Sequence, residues 1–308
     1  VNNMPALRSQ GRLRRLIPTT PMQVVGAALV VLVVIAALAP SWLAPSDPTQ
    51  LDPDNLLSAP SWKHLLGTNE LGQDLLSLII YSVQLELIVA AGSTLLATVI
   101  GIATGTLARL ARRPVDSLLS GAATGVLSFP LILLGVLVIA SFGASATSLL
   151  IVLAVAFWPQ VHLLVRDQIR TVNDRDFVTA ARLLGVGTGK IVLQHLIPNS
   201  LRPLLVLCPQ LMAIGILTEA GLSFLGLGVQ PPEVSWGTLL LSSKNYYQDS
   251  PWYPLIIGIV ITATSFLLML LGDRWARRGS PDGRSRKRTK PSPRHPNPLP
   301  QNVSGEAT

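Results

Sequence analysis

Charged side chains are scarce in this sequence. They make up 13% of its 308 residues, against 49% hydrophobic residues and a mean hydropathy of +0.49, whereas an ordinary soluble domain is about a quarter charged. The scarcity excludes a water-soluble globule and implies lipid as the solvent. Cysteine is rarer still. Cys208 stands alone, so no disulfide framework or cysteine-held metal cluster can be built, and it reads as apolar filler. The histidines His64, His195 and His295 are too scattered for a zinc or nickel site.

Missing motifs narrow the chemistry further. GVGTGK, 185–190, suggests a phosphate-binding loop, but that loop needs Gly where Leu184 stands and Ser or Thr where Ile191 stands. The stretch also leaves a helical pattern rather than a strand, so no nest of backbone amides is expected. The acidic run SDPTQLDPD, 46–54, lacks the ligand order of a calcium loop and reads as a solvated connector. His162 and Ser223 could be imagined as an intramembrane hydrolase dyad. Ser223, however, sits in GLSFL rather than a G-x-S-x-G elbow, and no acid is placed to orient His162. No catalytic residue, cofactor-binding residue or metal site is expected in this chain.

What the sequence does contain is long charge-free intervals, at 16–46, 87–108, 117–165, 203–218, 220–232 and 250–272. A helix crosses a bilayer core with about 20 apolar residues. The third interval holds two helices divided by SFGASATS, 141–148, and the two intervals flanking Glu219 make one helix with a buried acid. The fold class predicted is all-α, a polytopic membrane protein with six spans at about 22–44, 85–108, 117–140, 148–165, 203–228 and 252–272. The first of these has an apolar stretch longer than a cleaved signal peptide and is expected to stay as a helix. Lys and Arg resist translocation. With the amino terminus inside, every basic residue except Lys63 and Lys244 is cytoplasmic, which places both termini in the cytoplasm and the chain in the cell membrane. The net charge of +8 then reports topology and contact with anionic lipid, because no aromatic-interleaved basic face for nucleic acid appears. Residues 1–21 read as a cytoplasmic segment, 22–278 as the transmembrane domain, and 279–308 as a disordered basic, Pro-rich tail.

Between the fourth and fifth spans lies DFVTAARLLGVGTGKIVLQHLIPN, 176–199. Phe177, Ala180, Ala181 and Leu184 fall at i, i+3, i+4 and i+7, one stripe of a short helix. Asn173 and Asp176 stand where its cap and first-turn acceptors belong, and Gly185 supplies a left-handed stop. A second helix is expected from Thr188 through Ile191 to Leu196, closed by Pro198. Two readings remain open on pattern alone. The helix could rest on lipid, or its two alanines could admit the backbone of a partner.

Three segments carry a resemblance. Thr179, Ala180, Ala181, Gly185, Ile191 and Ile197–Pro198 resemble the "EAA" loop of ATP-binding-cassette importer permeases. LGTNELGQDLLS, 66–77, is similar to the external LGTDxxGRDxLS segment of the dipeptide, oligopeptide and nickel permeases, and TEAGLSFLGLGVQPPEVSWG, 218–237, to their ExxLSFLGLGVQPPxPSWG. The resemblance spans about 12–278 and points to the C-type subunit. It implies a subunit of an importer that pairs with a second, homologous permease, takes di- or oligopeptides from an extracytoplasmic binding protein, and is driven by two ATPase domains that hold ATP and Mg. Glutathione or nickel are alternative cargoes of the same fold. The loop helix would couple to the ATPase through Phe177, Thr179, Ala180, Ala181 and Leu184, with Gly185 as its turn. Asn69, Glu70, Gly72 and Asp74 would form a short helix at the external mouth. The sequence departs from the pattern at Thr179, where the family has Glu, and at Gln73 and Leu78, where it has Arg. Rival classes are a stand-alone channel, a secondary carrier or an intramembrane enzyme.

Glu219 is the costly residue, since a carboxylate in mid-span costs about 2.5 to 3.5 kcal/mol on insertion scales. With Ser223 it either lines the translocation path or its gate, bonded by a paired subunit or a peptide amino group, or makes a structural bond between helices. Ala97, Gly101 and Gly105, and likewise Gly121 and Gly125, are expected to pack helices closely. Pro130 is expected to kink the third span.

Overall fold

The computed structural model describes residue 33 and residues 35–279. Within them the chain is helical: α1 (Pro40–Leu43), α2 (Leu75–Leu110), α3 (Arg113–Ser128), α4 (Leu131–Phe142), α5 (Ala146–Asn173), α6 (Asp176–Leu183), α7 (Thr188–Ile191), α8 (Ile197–Phe224), α9 (Trp236–Ser243) and α10 (Trp252–Gly279). Most of the span expected at 22–44, the segment 1–21 and all but the first residue of the expected tail lie outside the described residues. Among the described residues four helices are long and apolar enough to cross a membrane, and a fifth span results if α3 and α4 count as one.

The helices run further than charge-free intervals suggest. α2 begins at Leu75, ten residues before the expected start, because Asp74 caps it by accepting the Ser77 amide at 2.8 Å. Its 36 residues reach about 54 Å at 1.5 Å per residue, well beyond the roughly 30 Å of a bilayer core. The third predicted span is broken. α3 and α4 meet at 95° across Phe129 and Pro130, where the ring removes a donor and the preceding residue is pushed to extended backbone. Ser145 starts α5 by accepting the Ser148 amide at 3.1 Å. Gly226, at φ +81°, stops the fifth predicted span short of residue 228.

Among the described helices α2 and α5 pack together most extensively. A Cβ on Gly101 would lie 2.5 Å from Val161 Cγ1, and one on Gly105 would lie 2.7 Å from the His162 carbonyl oxygen, so only glycine permits this approach. α8 completes the inner cluster around Leu153, Phe157 and Leu211. The second small-residue series behaves otherwise: nothing lies within 4 Å of a Cβ added to Gly121 or Gly125. Only Ala123 of α3 is buried, so that face packs against no part of the described chain. A second cluster, around Leu75, Trp236, Tyr253 and Ile257, gathers the ends of α2, α8 and α10 under α9.

Candidate functional site

Two regions at opposite ends of α8 carry the motif residues. At its start, α6 is anchored by Val178, which is fully buried, and by Arg182 Nη2, which donates to Asn173 Oδ1 at 2.5 Å. The N-cap is Arg175, without a side-chain bond, rather than Asn173, while Asp176 stands in the first turn as expected. Asn173 is occupied as the acceptor for Arg182. Phe177, Thr179 and Ala180 face outward, Leu183 and Leu184 are 84% and 83% exposed, and Ala181 turns partly inward against the core. Leu183 lies off the predicted stripe, and its solvent-facing position shows only once Val178 is fixed as the anchor.

Gly185 ends α6 at φ +76°. Its amide donates to the Arg182 carbonyl at 2.9 Å, and the Val186 amide to that of Ala181 at 3.1 Å. Pro198 does not close the next helix. α7, with Ile191 buried, passes through a π turn at Val192–Leu196 directly into α8. Pro198 falls in the first turn of α8, where its missing donor is tolerated.

At the other end of α8 the segments 66–77 and 218–237 meet. Asn69–Asp74 is a tight knot, not a short helix. Asn69 Oδ1 accepts the Leu71 and Gln73 amides at 3.0 and 2.8 Å, Thr68 pairs with Asp74, and Gly72 takes φ +75°, which a helix cannot contain. A Cβ on Gly72 would collide with the Asp52 carbonyl. Gln73, where the family pattern has Arg, donates to the Pro48 carbonyl at 2.7 Å. Asp74 accepts from Ser77 Oγ at 2.9 Å and meets His64 Nδ1 at 3.1 Å. Asn69 and Asp74 are buried supports, whereas Glu70 is half-buried. A cleft of about 410 Å³ lies between the motifs, bordered by Asn69, Glu70 and Gln73 on one side and Ser223, Gln230 and Glu233 on the other.

Glu219 is fully buried. Within this chain Ser223 Oγ donates to Glu219 Oε1 at 2.6 Å, and Ser235 and the carboxyl group of Glu86 also contact it. Glu86 accepts the Trp236 amide at 2.9 Å. Sequence reasoning missed Glu86, which looked like the charged border of an apolar interval; it lies eleven residues inside α2. His162 sits elsewhere, with Nδ1 3.1 Å from Thr104 Oγ1 and Nε2 3.5 Å from Ser120 Oγ. Beside it Arg166 donates twice to Asp116, at 2.5 and 2.7 Å. His162 and Ser223 therefore form no dyad.

Residues 97–281 match the family described as binding-protein-dependent transport system inner membrane component. Over 254 residues the chain is 35% identical to the di/tripeptide transport system permease protein DppC of Pseudomonas aeruginosa, covering 80% of this chain and 84% of that protein. It is 32% identical over 252 residues to the dipeptide transport system permease protein DppC of Alkalihalophilus pseudofirmus, with 82% and 83% covered. Among solved structures, the methionine ABC transporter MetNI in inward-facing conformations is similar in fold, with a TM-score of 0.55 at 19% identity over 65% of this chain and 95% of that one.

Proposed function

Since this chain belongs to the binding-protein-dependent transport system inner membrane component family, we propose that it is a permease subunit of an ATP-driven importer that moves di- or oligopeptides across the cytoplasmic membrane. The observation that carries peptide as cargo is the likeness, over about 80% of the chain, to permeases named for di/tripeptide and dipeptide transport.

Six spans result if a helix over 22–44 precedes α2 and the bent pair α3–α4 counts as one. Both termini and α6 are then cytoplasmic, in keeping with the distribution of Lys and Arg. α6 is the coupling helix. Its Ala180, Leu183 and Leu184 are apolar and exposed, and two leucines more than four-fifths exposed favour a protein cleft over water. That cleft belongs to an ATPase, two of which bind ATP and Mg. A second, homologous permease completes the pathway, and an extracytoplasmic binding protein delivers peptide near the cleft between Glu70 and Glu233. Because α7 runs without a break into α8, a displacement of α6 is carried along one helix to that external cleft. The mechanism is alternating access with no covalent chemistry in this chain.

Affinity purification in mild detergent tests the assignment. An ATPase is expected to leave the column with the wild-type chain and to be lost from Leu183→Asp/Leu184→Asp. Recovery of the intact chain from membranes with no ATPase would overturn it.

A further inference from the structure

Glu86 and Glu219 are buried acids that the proposed function leaves without a task. Glu86 is 1% exposed and Glu219 not at all, and their carboxyl groups are in hydrogen-bonding contact between α2 and α8. One oxygen of each is accounted for, by the Trp236 amide on Glu86 Oε1 and by Ser223 Oγ on Glu219 Oε1. The Oε2 atoms of both are sealed from solvent and receive no bond from an N–H or hydroxyl donor. Ionised carboxylates are acceptors only, so contact between two of them requires a proton.

Among the described residues no ion pair is made by either carboxyl. α2 contributes Glu86, α8 contributes Glu219 and Ser223, and the approach to α9 contributes Ser235 and the Trp236 amide. No Lys, Arg or His among the described residues acts on either carboxyl. Tyr253, the titratable group of α10 in the same apolar cluster, interacts with Glu70. Two negative charges within hydrogen-bonding distance in an apolar interior cannot both persist.

We propose that Glu86 and Glu219 are a proton-binding site, a carboxyl pair that shares one proton and through it clasps α8 and the start of α9 onto α2. The proton belongs to the pair rather than to either residue. The remaining negative charge faces the amide end of α9, where a helix favours an anion. The closure is tight: a Cβ on Gly237 would lie 2.5 Å from Ser223 Cβ and 2.8 Å from Ala220 Cα, so α9 rests directly on α8 and excludes water from the acids. The shared proton is part of the clasp, so its removal by base opens the contact between the helices. The site rests on packing within this chain and stands whatever the cargo or energy source.

The test is infrared spectroscopy in D2O of the full-length chain in lipid nanodiscs, with the subunits that accompany it, across a neutral-to-alkaline pH series. The wild type is expected to show the C=O stretch of a slowly exchanging carboxylic acid at neutral pH. One carboxyl's worth of that band should be missing from Glu86→Gln/Glu219→Gln, whose paired amides keep a hydrogen bond without a proton. The wild type's unfolding temperature should fall on alkalinisation more steeply than that of the double variant. A wild type without the band, or a band unchanged in the double variant, overturns the proposal. Should the double variant fail to assemble, the wild type decides alone. A band that titrates away together with the loss of thermal stability supports the site, and absence of the band at neutral pH overturns it.

Discussion

Gly185 is held at φ +76° with nothing within 4 Å of where a Cβ would stand. Any effect of substitution there is consequently conformational, not a clash. Val in this region costs about 1 to 2 kcal/mol, whereas Asn visits it readily. Gly185→Val should abolish uptake and ATPase association while the subunit still reaches the membrane, and Gly185→Asn should retain both. Equal uptake by the two variants would remove the turn from the coupling path. Gly185 was readable in advance because a glycine after an apolar stripe has one common use. Asn69–Asp74 was not, because NELGQD has no local mark showing that Asn69 bonds its own neighbours while Gly72 makes room for a carbonyl of Asp52. Glu86 was invisible for a related reason: charge counting treats an acid as an edge, and only the fold brings it to Glu219.

At the scale of elements, the two glycine series of one sequence type have opposite surroundings. Gly105→Leu should force α2 from α5, at an overpacking cost of about 1 to 3 kcal/mol or more, and lower the thermal stability of the chain in detergent. Gly121→Leu should leave that stability unchanged, since its face meets nothing among the described residues. Matching losses from both would contradict the packing described. A small-residue spacing shows that close approach is possible; it does not identify the neighbour, and that information lies in the tertiary arrangement. Helix ends were hidden for a different reason. Polar residues such as Ser77, Ser82 and Glu86 are accommodated inside α2 once capped and packed, so the charge-free interval underestimates the helix. The 95° bend at Pro130 was legible as a kink, its size not.

For the whole molecule, the all-helical class, the apolar spans and the family were open to sequence reading because hydropathy and motif combinations need no tertiary information. The meeting of residues 66–77 with 218–237 at one cleft was not, since about 150 residues separate them and they are joined through the packing of α2 on α8 and the bonds of Trp236 to α2. The proposed function requires that an ATPase acting on the exposed face of α6 controls the import of peptide by this subunit. The most direct measurement is uptake of a labelled di- or tripeptide into proteoliposomes holding the reconstituted complex and its binding protein, with and without ATP, for the wild type and for Leu183→Asp/Leu184→Asp. Uptake should require ATP and disappear in the variant although the subunit remains inserted. Wild-type uptake driven by an ion gradient without ATP, or undiminished uptake by the variant, would contradict the account.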